Sequence, residues 1–160
     1  MLTRDPLFSD ACVRNLRHAC PAIVRHAFGV AGFAAKLKVL IVDSSAIAAR
    51  LADMLGESDV VEIIGLVASS ADARKLLERC DPVAIVLDSR VIDRDGLALI
   101  RELHESRSPH LIIVLMSQAE PALAEACTAA GASYVLKKHD DFERMVELVR
   151  DWHLHWRQGL

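Results

Sequence analysis

The chain has 160 residues, of which 52% are hydrophobic and 26% charged, a balance that supplies the core of one ordinary domain and excludes an intrinsically disordered chain. The formal net charge of -3 argues against a nucleic-acid-binding surface. No apolar run reaches the roughly 18 residues a membrane span requires; the nearest, Ala22 to Leu37, is interrupted by Arg25, His26 and Lys36.

Residues 1–36 carry Arg4, Arg14, Arg17, Arg25 and Lys36 against only Asp5 and Asp10, with Pro6, Pro21, Gly29 and Gly32 breaking any period. They are expected to form an N-terminal extension, poorly ordered or partly helical, with no assigned role. From Lys38 the pattern changes to short aliphatic runs alternating with amphipathic stretches. The runs Val39–Val42, Val61–Val67, Val83–Leu87, Leu111–Leu115 and Ser133–Leu136 have strand length and strand composition. Aromatics make up only 4% of the chain, so Ala, Val, Ile and Leu must fill the core, as in a parallel sheet buried on both faces.

Between the strands, Ile47, Leu51 and Met54/Leu55 share one helical face. Ser69-x-x-Asp72 reads as a capping box opening the next helix. Leu97, Ile100 and Leu103 form another stripe. Leu123 and Cys127 mark a helix that ends at Gly131, a residue suited to a left-handed cap. A last helix from Asp140 or Asp141 lines up Phe142, Met145/Val146, Val149 and Trp152. The tail Trp152-His-Leu-His-Trp156 is expected to prolong that helix, since histidines at i and i+2 do not share a face and make a poor metal site. Cys12, Cys20, Cys80 and Cys127 lack metal-type spacing and read as separate buried thiols.

Strand and helix alternate five times, which predicts a flavodoxin-like doubly wound α/β fold, a five-stranded parallel sheet of order 2-1-3-4-5 with five helices. In that order strands 1 and 3 are neighbours, and ligands bind outside their carboxyl ends. Both strands deliver an aspartate where the aliphatic run stops, Asp43 after Val39–Val42 and Asp88 after Val83–Leu87. Each alone could be a cap or turn residue. Together at the switch point they make a candidate cation site, because a hard cation relieves the repulsion between two close carboxylates.

Around the second acid the sequence reads Asp88-Ser-Arg-Val-Ile-Asp-Arg-Asp95-Gly96. It resembles the response-regulator receiver (CheY-like) signature Asp-x-x-Met/Leu-Pro-x-x-Asp/Asn-Gly, with Asp88, Val91, Asp95 and Gly96 in register. Val39–Ser45 is similar to the family's opening Val-Leu-Ile-Val-Asp-Asp-Ser. Asp59–Ser70 resembles the strand 2 region of the NarL/FixJ-type branch, and Gly131-Ala-Ser-Tyr resembles the lead-in to strand 5. The resemblance covers about three quarters of the chain, with the receiver expected at residues 37–156.

The resemblance implies roles. Asp88 would accept a phosphoryl group from a histidine kinase or phosphotransfer protein. Asp43, Asp88 and the backbone carbonyl of Arg90 would hold Mg2+. Ser117 would offer its hydroxyl to the phosphoryl oxygens, and a strand 5 lysine would pair with their charge. Counting from Gly131 gives Lys138 and counting from Tyr134 gives Lys137, with Lys138 favoured. Only one of two successive residues can face the site.

Three departures bear on those roles. Ser44 stands where a second acid is usual, so Mg2+ should bind weakly. Ile92 and His139 stand where the family has proline, which removes rigidity from two turns. Arg90 brings a guanidinium able to pair with Asp43 or Asp88. Two functions are therefore expected to compete: a single-domain response regulator phosphorylated on Asp88, or a degenerate receiver that binds proteins without phosphate. Either would be cytoplasmic and not an enzyme, apart from catalysing its own phosphorylation and dephosphorylation. It would act on an unknown downstream protein, with no nucleic-acid or membrane partner. Mixed charges at Glu143, Arg144, Glu147, Arg150 and Asp151 also suit a weak homodimer.

Overall fold

The computed structural model of the chain describes residues 36–92, 94–106 and 110–158, so the expected extension lies outside the described residues except for Lys36. The elements are β1 (Leu37–Val42), α1 (Ala48–Gly56), β2 (Val61–Val67), α2 (Ser70–Leu77), β3 (Ala84–Asp88), a 3-10 turn (Ser89–Val91), α3 (Arg94–Glu105), β4 (Leu111–Met116), α4 (Pro121–Ala130), β5 (Tyr134–Lys137) and α5 (Phe142–Gln158). All strands pair in parallel in the order β2-β1-β3-β4-β5, the expected flavodoxin-like sheet.

Apart from Lys38 in β1 and Asp88 at the end of β3, the central strands are apolar because both of their faces are covered. Successive residues point to opposite sides. Val39, Ile41, Val86, Ile113 and Leu115 therefore join Leu51 and Leu55 of α1 and Met145, Val149 and Trp152 of α5 in one core layer. Leu40, Val42, Ile85, Leu87, Ile112 and Val114 join Ala73 of α2, Leu99 and Ile100 of α3 and Cys127 of α4 in the other. Ile85 and Ile113 are fully buried. Truncating either to Ala removes packed methyl groups and costs about 2–5 kcal/mol.

The helix boundaries follow local chemistry. Ser69 caps α2, its hydroxyl oxygen accepting from the Asp72 amide at 3.1 Å. Helix α4 opens on Pro121, whose missing N–H costs nothing in the first turn. It closes at Gly131, with φ +116°, where an added Cβ would lie 2.3 Å from the His104 ring. Helix α5 runs on through the tail to Gln158, as the sequence suggests.

Two details differ from expectation. Helix α1 begins at Ala48, and Ala48, Leu51 and Leu55 form its buried stripe. Ile47 occupies the preceding cap position and is 39% exposed, so it does not belong to the core face. Of the thiols in described residues, Cys127 is buried but Cys80 is only half-buried, because it follows α2 in a surface turn.

Candidate functional site

The register of the sheet brings the two acids together. Val42 pairs with Leu87, so the next positions along the two neighbouring strands are Asp43 and Asp88. The Asp43 amide still bonds the Val67 carbonyl at 2.9 Å, which holds its backbone against β2. Despite being acids, Asp43 and Asp88 are 4% and 1% exposed. Burial of two like charges requires partners.

Lys138 is that partner. Its amide bonds the Met116 carbonyl at 2.8 Å, one residue past the end of β5, so the chain is still anchored to β4 as it turns. The buried ammonium donates to Asp43 Oδ2 at 2.6 Å and to the Ser45 hydroxyl at 2.9 Å, and it also bonds Asp88 Oδ2. Lys137 points the other way, its side chain 71% exposed and its nearest acid Asp140 at 3.9 Å. Lys138 is thus the lysine that faces the acids.

Each carboxylate keeps its second oxygen for its own backbone. Asp43 Oδ1 accepts from the Ser45 amide at 2.7 Å, and Asp88 Oδ1 accepts from the Arg90 amide at 2.7 Å. These are paired Asx turns, in which an aspartate bonds the N–H two residues on. Burial opposes ionisation of Asp43, but the Lys138 ammonium and the hydroxyl and amide of Ser45 together outweigh it and hold the carboxyl below its ordinary value. Two carboxylates and one ammonium leave the trio with one net negative charge.

The remaining candidates sit around this trio. Arg90 Nε lies 3.6 Å from Asp88 Oδ1 with its side chain 59% exposed, a single long contact rather than a bidentate pair. Ser117 follows β4 directly, two residues beyond Leu115, which pairs with Asp88. Its hydroxyl oxygen is buried without a hydrogen-bond partner, an uncommon state for such a group. Ser44 is exposed. Ser45 joins the site as a residue that only its Asx spacing after Asp43 signals in the sequence. An open cleft of about 640 Å³ adjoins Lys138, lined in part by Ile47, Leu51, Met54, His139 and Phe142.

Mg2+ takes oxygen ligands and is commonly held by one or two carboxylates while keeping several waters. Asp43, Asp88 and the Arg90 carbonyl fit that description. The donor set is sparse, however: no group of three or more His, Cys, Asp or Glu side chains suited to a metal occurs among the described residues. The Lys138 ammonium already binds one oxygen of each acid.

A five-stranded receiver-type sheet with a buried acid pair at its switch point has direct counterparts among known proteins. Residues 39–150 match the response regulator receiver domain, and the chain belongs to that family. It is 32% identical over 118 residues to the DNA-binding transcriptional activator DevR/DosR of Mycobacterium tuberculosis, covering 72% of this chain and 54% of that protein. It is 31% identical over 116 residues to protein-glutamate methylesterase/protein-glutamine glutaminase 5 of Myxococcus xanthus, covering 70% of this chain and 33% of that protein. The chain therefore spans between a third and about half of the curated relatives it matches.

Among solved structures, the signal receiver domain of the response regulator NarL from Mycobacterium tuberculosis superposes with a TM-score of 0.66 at 22% identity, covering 74% of this chain and 97% of that one. The response regulator domain of Thermotoga maritima CheB gives 0.61 at 19%, covering 76% and 97%. At these identities the structural likeness concerns the fold. The family membership places the chain in two-component signalling.

Proposed function

We propose that this receiver accepts a phosphoryl group on Asp88 from the phosphohistidine of a kinase or phosphotransfer protein and passes the signal on through protein contacts. The observation that carries this reading is the Asp88–Lys138–Asp43 cluster, buried at the carboxyl edge and held by hydrogen bonds at 2.6–2.9 Å apart from the closer Lys138–Asp88 contact. A carboxylate oxygen of Asp88 attacks phosphorus. The phosphorus–nitrogen bond breaks as the phosphorus–oxygen bond forms, and the departing imidazole nitrogen takes up a proton. Phosphoryl transfer depends mainly on positioning and on neutralising oxygen charge. Lys138 supplies a cation beside the acceptor, and the unpartnered Ser117 hydroxyl supplies a donor. Bound at Asp43, Asp88 and the Arg90 carbonyl, Mg2+ would supply further neutralisation of the phosphoryl oxygens.

The receiver unit is taken as residues 37–156, with 1–36 as an extension, and it is read as cytoplasmic. Among the described residues no helix is long and apolar enough to cross a membrane. Beyond its own phosphorylation and dephosphorylation it is assigned no enzymatic activity. Its partners are read as proteins, a weak second copy included, and not nucleic acid.

A second reading, a receiver that binds proteins without phosphate, is favoured by one observation: Lys138 already bonds both acids, and Ser44 offers no third carboxylate. Beryllofluoride, an acyl-phosphate mimic, decides between them when titrated with Mg2+. Saturable uptake that requires Asp88 supports the phosphoacceptor. Absence of uptake at millimolar Mg2+ leaves the phosphate-independent module.

A further inference from the structure

The turn after Asp88 carries the Arg90 amide that bonds Asp88 Oδ1, and with it the Arg90 carbonyl that the family resemblance would assign to a cation. Its sequence lacks an obvious stiffener, since Ile92 leaves φ free where a proline would fix it. Yet it is held on both flanks by one neighbouring helix. Ser70, the first residue of α2 and 5% exposed, donates its hydroxyl to the Val91 carbonyl at 3.3 Å. Arg74 lies four residues on and so projects from the same face of α2. Its Nη2 donates to the Asp95 carbonyl at 3.1 Å, while Nη1 is ion-paired with Glu102 of α3.

Gly96 completes the arrangement from the other side. An added Cβ there would come within 3.1 Å of the Val91 carbonyl oxygen and 3.3 Å of Ile92, so the first turn of α3 lies directly against the acceptor turn. Val91 and Asp95 are thus each tied by a carbonyl to α2. Helix α2 contributes no group to the acid cluster itself.

We infer that Ser70 and Arg74 are positioning residues for the phosphoacceptor turn, fixing the Arg90 peptide relative to Asp88 from α2. The consequence for phosphorylation rests on the function proposed above; the consequence for the turn does not. Neither residue touches Asp88, Lys138 or Asp43, so loss of the ties should leave the acid cluster's members present and misplace only the peptide beside them.

The test compares wild type, Ser70→Ala, Arg74→Met, the double variant, Arg74→Lys and Glu102→Gln. Amide hydrogen exchange at Arg90, read by NMR without phosphate or metal, reports the turn directly. In the double variant it should speed up by about tenfold or more, the scale of losing two ordinary hydrogen bonds, while Val86 in the middle of β3 stays protected. Arg74→Lys should restore most of the protection, because a single ammonium can still reach the Asp95 carbonyl. Glu102→Gln should change little, because the tie to Asp95 remains. With Mg2+ and beryllofluoride, the double variant should need several-fold more Mg2+ for half-saturation.

Unchanged Arg90 exchange in the double variant overturns the inference. So does an equal rise at Val86, which would mark general loss of stability. If wild type takes up no beryllofluoride, the phosphoacceptor reading falls, and the Arg90 exchange still decides whether α2 positions the turn.

Discussion

Lys138 Nζ lies 2.6 Å from Asp43 Oδ2, with both side chains 1% exposed. The same ammonium bonds Asp88, so one buried cation serves two buried anions. Removing it is expected to be severe. Replacing Lys138 with Met keeps the bulk but strands two close carboxylates, and breaking a buried pair costs about 3–5 kcal/mol. Urea unfolding at pH 7 measures this. The triple variant Asp43→Asn, Asp88→Asn, Lys138→Met should recover a large part of the loss. A Lys138→Met protein as stable as wild type would mean the acids are neutralised some other way.

Asp88→Asn is isosteric and cannot act as the attacking carboxylate. Labelling by a radioactive small-molecule phosphodonor should fall to background, while Asp95→Asn should still label, because Asp95 is exposed and outside the cluster. Persistent label in Asp88→Asn would move the acceptor elsewhere.

Ser44 is exposed beside Asp43, so a carboxylate placed there is partly screened but adds a full charge to the cation site. Ser44→Asp should tighten Mg2+ by about tenfold, roughly 1.4 kcal/mol. Calorimetric titration is the measurement. An unchanged affinity would show that the metal geometry assigned to Asp43, Asp88 and Arg90 is wrong.

The pH dependence of stability has a separate origin. His110 is 8% exposed just before β4, and its Nδ1 lies 2.7 Å from the Pro82 carbonyl oxygen. A carbonyl can only accept, so Nδ1 carries the proton in the neutral ring. Burial pushes the pKa below its ordinary 6.5, against the opposing pull of Pro82 and Asp81. A histidine depressed in the folded state takes up its proton more readily when unfolded. Its contribution is therefore present above pH 6.5 and is lost as the pH falls through the folded value. The melting temperature of wild type should decline from pH 7 toward pH 5 more steeply than that of His110→Gln, which retains an N–H donor. Equal slopes would count against the assignment. Asp43, also depressed, acts in a lower window, below its ordinary 3.8.

Much of this architecture was legible in the residues themselves. Unbroken aliphatic runs such as Leu111–Leu115 can only be strands covered on both faces in a chain of this composition. The family resemblance carried by Asp88, Asp95 and Gly96 pointed to the turn after β3. The failures have equally specific causes. Ile47, Leu51 and Leu55 fit a helical stripe as well as Ala48, Leu51 and Leu55 do, and periodicity cannot separate them. Ser45 is not legible as a site residue because half of its role depends on Lys138, which no local pattern connects to it. The choice between Lys137 and Lys138 depended on where β5 stops and the chain turns inward. Arg74 carries no sequence signal at all, since the Asp95 carbonyl and the Glu102 carboxylate it meets both belong to another helix.

The acid cluster draws on the first, third and fifth strands, with Lys138 standing 95 residues from Asp43 and 50 from Asp88. During synthesis both carboxylates are added to the chain well before their counter-ion. Closing loops of that length is entropically costly and slow compared with local helix formation. Until β5 docks, pairing β1 with β3 brings two like charges together, so the sheet is discouraged from sealing its carboxyl edge early. Docking of the last strand supplies the missing cation. The cluster thus ties completion of the site to completion of the sheet, and a chain cut short before Lys138 would lack the cation that both acids share.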